Sequence, residues 1–217
     1  MSAWWRRARS PVRAIPFSRI DFLVVDVETT GLDPRRDHVL ELGWVPVTRG
    51  EVVLDGVHGT VVRPPAGAVV GESAVLHGIT DDDLAAAPGL ADVAPELRAA
   101  LQGRVLVAHH APIELGFLDR AFRDGGAVGA PLHVVDTMTL ERRLLVRGHG
   151  APPPGALRLD AARQRYGLPR YAAHRAATDA IATAELLLAQ VAELGSRLRR
   201  EPTLADLAPR RRFRGGA

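Results

Sequence analysis

Residues 22–31 read Phe22-Leu-Val-Val-Asp26-Val-Glu28-Thr-Thr-Gly31, an apolar run closed by a turn signal. A run of this length predicts a buried strand that ends at Thr29, Thr30 and Gly31. Side chains two apart on a strand share a face, so Asp26 and Glu28 point the same way where the strand meets its loop. Like charges side by side in a partly buried place are costly, and a divalent cation would remove that cost by neutralising both. Two acids at an exposed strand end are also common without any ligand. The pair therefore gains meaning only from what accompanies it.

Working outward, residues 39–47 and 51–62 predict two further strands joined by a hairpin turn at Arg49-Gly50, and Pro64-Pro65 closes that unit. Thr80 caps a helix, with Asp83 completing an imperfect capping box. Helices are then expected at 92–101, 112–123, 137–146, 157–166 and 175–198, and strands at 104–108 and 133–136. Gly148 to Gly155, with three consecutive prolines, reads as a loop. Three strands followed by alternating helix and strand predict an α/β fold with a mixed five-stranded sheet, antiparallel at first and parallel later, flanked by helices. The expected divisions are a basic flexible arm at 1–19, one domain at 20–198, and an Arg-rich tail at 199–217. The arm, with five Arg and two Trp, reads equally well as a solvated extension.

A chain of 217 residues suits one domain, and 47% hydrophobic residues suffice for a core. The absence of Cys excludes disulfides and Cys-based zinc sites. No apolar run approaches the roughly 20 residues that cross a membrane, and no secretory signal is visible, so a cytoplasmic location is expected. All 28 basic residues are Arg, the net charge is +3 and the pI is about 10.4. Arg suits phosphate recognition. Compositional bias toward Ala, Gly, Pro and Arg explains the missing Lys better, so charge alone says little about partners.

Two further acids stand out. On the helix expected from Pro112, Phe117, Leu118, Ala121 and Phe122 form an apolar stripe, and Glu114 lies in that stripe at helical spacing. The helix dipole favours a Glu in the first turn, but it does not explain one facing the core. On the last long helix, Asp179 flanks an apolar face built from Ala180, Ile181, Ala184, Leu187, Leu188 and Val191. An Ala-rich face lets a helix approach a sheet closely. His174 precedes Asp179 by five residues, a spacing that does not align side chains on a regular helix, so His174 is expected at the helix entrance, overhanging the site.

Together these segments resemble the DEDDh exonucleases, the family of the proofreading epsilon subunit of bacterial DNA polymerase III. Asp26-Val-Glu-Thr-Thr-Gly31 matches the first motif of that family. Val107-Ala-His-His-Ala-Pro-Ile-Glu-Leu-Gly-Phe-Leu118 resembles the second, and His174-Arg-Ala-Ala-Thr-Asp179 matches the third. There are two departures: His109-His110 stands where the family has His-Asn, and Glu114 stands where it has Asp. The resemblance implies a ribonuclease H-like fold. It implies metal ligation by Asp26, Glu28, Glu114 and Asp179, with His174 as general base. It also implies that Thr29, Thr30 and Leu32 floor the terminal nucleotide and that His77 and His110 border it.

Phosphodiester hydrolysis needs an attacking hydroxide and a stabilised leaving oxygen, which two divalent cations roughly 3.5–4 Å apart supply. All-oxygen ligands favour Mg²⁺ or Mn²⁺ over zinc, and no H-E-x-x-H spacing is present. The expected activity is 3′→5′ removal of nucleoside 5′-monophosphates from DNA, single-stranded by preference. RNA ends and a non-catalytic binding subunit are the competing readings. The retention of every acid together with His174 opposes the latter. A polymerase or repair complex is a possible setting. The short Arg-rich tail leaves little room for a polymerase-binding extension, which favours a stand-alone trimming or repair enzyme.

Overall fold

The computed structural model describes residues 11–70, 78–124, 133–146, 150–172 and 174–208. In chain order the strands are β1 (Phe22–Thr29), β2 (Val39–Thr48), β3 (Glu51–Val52), β4 (His58–Val61), β5 (Val105–Ala108) and β6 (Val134–Asp136). The helices are α1 (Asp81–Ala86), α2 (Leu90–Leu101), α3 (Ala111–Asp124), α4 (Thr137–Leu145), α5 (Leu159–Arg165), α6 (Ala176–Leu198) and α7 (Leu204–Leu207). The five longer expected helices form with ends shifted by one or two residues. Thr80 and Asp83 cap α1 reciprocally: the Asp83 N–H donates to Thr80 Oγ1 at 3.1 Å and the Thr80 N–H to Asp83 Oδ2 at 2.9 Å.

The sheet order is β3-β2-β1-β5-β6, with β4 also paired to β2. β1 is antiparallel to β2 and parallel to β5, and β6 is parallel to β5. The mixed sheet is therefore as expected, but it has six strands rather than five. The single third strand expected at 51–62 is split into β3 and β4 by a 3-10 turn at Leu54–Gly56. Pro46 in β2 is the physical reason. The chain arches over its ring, where a Cβ at Gly56 would lie 2.7 Å from Pro46 Cγ. The pairing is reduced to one bond from the Val53 N–H to the Pro46 carbonyl at 2.9 Å.

Period-two alternation along β1 builds two cores, one on each face. Phe22 and Val24 pack with Val45, Val107, Val135 and the apolar stripe of α6, namely Ala180, Ala184, Leu187 and Val191. Leu23 and Val25 pack with Leu42, Trp44 and Leu106 against Leu97 of α2 and Phe117, Leu118 and Phe122 of α3. Asp26 and Glu28 continue the even-numbered positions and so emerge on the α6 face, at the end of the strand.

That face is unusually low where α6 begins. Gly43, the register partner of Asp26, lies under the backbone of Ala176 and Ala177, and a Cβ there would be 2.3 Å from each. A Cβ at Gly59 would lie 2.8 Å from the Ala177 methyl. The first turn of α6 is thus laid directly on the sheet beside Asp26.

The expected boundaries at 19/20 and 198/199 fall inside packed structure. Phe17, Ile20, Leu204 and Leu207 are buried in the α6-side core. The Phe17 N–H donates to the Pro202 carbonyl at 2.9 Å and the Leu204 N–H to that of Ile15 at 3.1 Å. These scattered apolar residues bury because they meet each other across the two ends, a pairing that no local pattern reveals. Residues 1–10 and 209–217 of the expected arm and tail lie outside the described residues. Among the described residues no helix is long and apolar enough to cross a membrane.

Gly43→Ala should lower unfolding stability by about 1–3 kcal/mol, the usual cost of overpacking. This would read as a lower denaturant midpoint at unchanged slope. An unchanged midpoint would contradict the close seating of α6.

Candidate active site

Three of the singled-out carboxylates converge. Oxygens of Asp26, Glu28 and Asp179 lie within 4.8 Å of one another, brought there by the end of β1 and the first turns of α6. Glu114 arrives from the opposite face of the sheet. Phe117, Leu118 and Phe122 bury α3 in that core, and its first turn delivers Glu114, 5% exposed, to the sheet edge. It is not one of the mutually close three. It is nonetheless near enough that its charge is the strongest of those acting on Asp26.

The electrostatics report the crowding. Burial first, and then the charges of Glu114, Glu28, Asp179 and Glu41, push Asp26 well above the usual carboxylate range. Burial and the charges of Asp179 and Glu41 push Glu28 from 4.5 to about 8. Burial likewise pushes Glu114 to about 8. Asp179 is raised by burial, an effect opposed by the His174 N–H that its carboxylate accepts at 2.9 Å. Glu114 Oε2 is buried with no hydrogen-bond partner among the described residues. Elsewhere in the chain buried acids are answered by the protein itself. Glu141 accepts from Arg165 at 2.6 Å and from Gln190 at 2.9 Å. Carboxylates driven upward, with an orphaned oxygen among them, are what oxygen-ligated divalent cations relieve.

Glu41 belongs to this site and was not singled out from the sequence. It pairs with Glu28 across β1 and β2, so both side chains share a face. It is 1% exposed. Its oxygens accept from Arg175 Nε at 3.1 and 3.2 Å and from the Ala176 N–H at 3.1 Å. Arg175, the N-cap residue of α6, has no side-chain cap of its own. The neighbouring strand therefore caps α6 and ties down the turn that carries His174 and Asp179. The signal was present in Val39-Leu-Glu41-Leu-Gly43-Trp44, an acid inside an otherwise apolar strand.

Strain is concentrated here as well. His174 and His110 hold φ values of 71° and 84°, a region that costs a non-glycine residue on the order of 1–3 kcal/mol. His174 is exposed at the rim beside Asp179. His110 is exposed at the start of α3, where its N–H donates to Asp136 Oδ1 at 3.3 Å and its carbonyl accepts from the Ile113 N–H at 3.0 Å. His109 is structural. Its Nδ1 meets Thr137 Oγ1 at 2.9 Å and its Nε2 meets the Leu157 carbonyl at 2.8 Å. A carbonyl only accepts, so Nε2 carries the proton. Burial pushes the ring pKa down, keeping it neutral.

The residues expected to floor a nucleotide divide. Leu32 is 74% exposed next to the site. Thr30 is committed to its own loop: its hydroxyl donates to Asp37 at 3.3 Å and accepts from the His38 N–H at 3.0 Å. Thr29 Oγ1 donates to the Gly31 carbonyl at 2.6 Å. His77 lies outside the described residues.

Comparison with known proteins agrees with this geometry. A family model described as Exonuclease, RNase_T, matches residues 23–187. A DNA polymerase III subunit epsilon-like protein of Rhodobacter capsulatus is 34% identical over 196 residues, covering 88% of this chain and 27% of the relative. The PolC-type DNA polymerase III of Bacillus subtilis is 36% identical over 168 residues, covering 77% of this chain and 11% of the relative. The chain thus spans about a quarter or less of the length of these relatives. E. coli Exonuclease I in complex with a dT13 oligonucleotide superposes with a TM-score of 0.69 at 17% identity, covering 83% of this chain and 42% of that one. Exonuclease X in complex with 5′ overhanging duplex DNA gives 0.61 at 24%, covering 86% and 98%. These likenesses establish the ribonuclease H-like fold.

The raised carboxyls fix a pH dependence. Between their unfolded value of 4.5 and their folded value of about 8, Glu28 and Glu114 hold protons in the native state that the unfolded chain releases. Metal-free stability should therefore fall as pH rises through that window. Mn²⁺ or Mg²⁺, which bind the deprotonated form, should raise the melting temperature more at pH 8 than at pH 5. Melting at pH 8 that ignores both ions would contradict the cluster.

Proposed function

Because the chain belongs to the RNase_T exonuclease family, we propose that it is a 3′→5′ exonuclease releasing nucleoside 5′-monophosphates from the end of a DNA strand. The observation that carries this reading is the convergence of Asp26, Glu28 and Asp179 within 4.8 Å, with the orphaned Glu114 oxygen beside them and His174 at the rim. The donor set is entirely oxygen, which fits a pair of Mg²⁺ or Mn²⁺ ions held by Asp26, Glu28, Glu114 and Asp179. Bound there, such ions would polarise the scissile phosphate and offset charge building on the departing oxygen.

The chain's own residues do the rest. His174 accepts the proton of the attacking water as its oxygen bonds to phosphorus. The bond from phosphorus to the upstream 3′ oxygen breaks, and that oxygen takes a proton from solvent. Glu41 and Arg175 keep the His174 turn in its strained conformation, so the imidazole is placed before substrate arrives. Leu32, exposed in the loop that follows β1, would offer the base of the last nucleotide an apolar surface. Glu114, one methylene longer than the Asp of the related motif, would extend toward the centre from the first turn of α3. Placement in the cytoplasm, within a replication or repair setting, accords with relatives named as polymerase III subunits.

Excess chelator and Asp26→Ala should each abolish mononucleotide release from a 5′-labelled oligonucleotide. His174→Ala should slow turnover by about 10²–10⁴-fold, the range of a general base, while leaving Mn²⁺-dependent thermal stabilisation in place. Undiminished hydrolysis in chelator would exclude the mechanism. Equal loss of turnover and of ion stabilisation in His174→Ala would make that residue structural.

A further inference from the structure

A cavity of about 970 Å³ opens on α4 and the 150–158 loop, and none of the acidic residues above lines it. Arg142, Arg143 and Arg158 line it together with Met138, Val146 and Pro152, and no carboxylate does among the described residues. Arg143 donates to the Asp206 carbonyl at 2.7 Å. The Arg142 and Arg158 guanidiniums make no hydrogen bond or ion pair with any described residue, and both residues are exposed. Cationic groups along a groove track the phosphates of a single nucleic-acid strand, and Met138, Val146 and Pro152 offer its bases an apolar surface, without the aromatic platform of many such sites.

Its position in the fold ties it to the acidic centre. β1, β5 and β6 run parallel, so their C-terminal ends share one edge of the sheet, where open α/β sheets bind ligands. Asp26 and Glu28 lie at that end of β1, and Met138 follows the same end of β6. Two strand spacings, roughly 10 Å, separate β1 from β6 at this edge, the length of about three stacked nucleotides, and Arg142 lies about one helical turn beyond Met138. The His109 ring, bonded to Leu157 beside Arg158, clamps the cavity wall to the strand that leads into α3 and Glu114. We propose that this cavity is the upstream subsite, holding the strand two to three nucleotides 5′ of the scissile bond. The proposal rests on the exonuclease reading.

The test uses the full chain carrying Arg142→Gln and Arg158→Gln, with Mn²⁺ and two substrates. One is fluorescein-labelled dT12. The other is the p-nitrophenyl ester of thymidine 5′-monophosphate, which fills only the acidic centre. KM for dT12 should rise about tenfold or more, as expected for two lost charge-assisted phosphate contacts, while kcat/KM for the ester and the melting temperature stay unchanged. By fluorescence anisotropy, the slope of log affinity for dT12 against log salt should shrink by about 1.4, the share of two phosphates. An unchanged KM and slope would overturn the subsite, and so would a parallel loss on the ester. Wild-type protein that binds dT12 but hydrolyses neither substrate would count against the catalytic reading. The salt slope would then still decide the cavity.

Discussion

The seating of α6 on the glycine floor of the sheet is the contact on which the site depends. Gly43 lets the backbone of Ala176 and Ala177 come down to distances that no side chain would permit, and Gly59 makes room for the Ala177 methyl. Glu41 fastens it there by accepting the first helical N–H and the Arg175 guanidinium. The consequence is electrostatic. Asp179 is carried into the company of Asp26 and Glu28, close enough that their charges repel unless a proton or a counter-ion intervenes. Helix–sheet packing, bought with buried apolar area along Ala180, Ala184, Leu187 and Val191, holds that repulsion in place. The positive end of the α6 dipole lies beside the acids and offsets part of it.

The three parallel strands divide the labour along one edge. β1 supplies two acids, β5 leads into the strained His110 turn and Glu114, and β6 leads through Asp136 into α4 and the arginine cavity. Outside the centre, the buried Glu141 carboxylate is satisfied internally, in a network that joins α4, α5 and α6 through Arg165, Tyr166 and Gln190. The contrast separates Glu141, which ties helices together, from the crowded acids at the end of β1.

Much of this was legible before any coordinates. Asp26 and Glu28 break a period-two apolar run, and Glu114 sits in a helical apolar stripe. Both are local patterns, and the structure sets Asp26 beside Glu28 and within reach of the Glu114 charge. What stayed hidden depends on contacts between distant segments. Glu41 broke its strand by the same rule as Asp26, but its meaning lies in Arg175, far along the chain. The split of the third strand follows from the missing N–H and the ring of Pro46, which act on a neighbour rather than on their own strand. Phe17, Leu204 and Leu207 carry no periodicity and bury where the two ends of the chain meet the α6-side core. The positive φ of His110 and His174 contradicts local preference, as strained functional positions do.

Anomalous diffraction from crystals grown with Mn²⁺ would test the central claim most directly. The account predicts manganese peaks bounded by carboxylate oxygens of Asp26, Glu28 and Asp179, with Glu114 within reach. Saturating Mn²⁺ with no peak in that cleft, or acids turned away from one another, would contradict it.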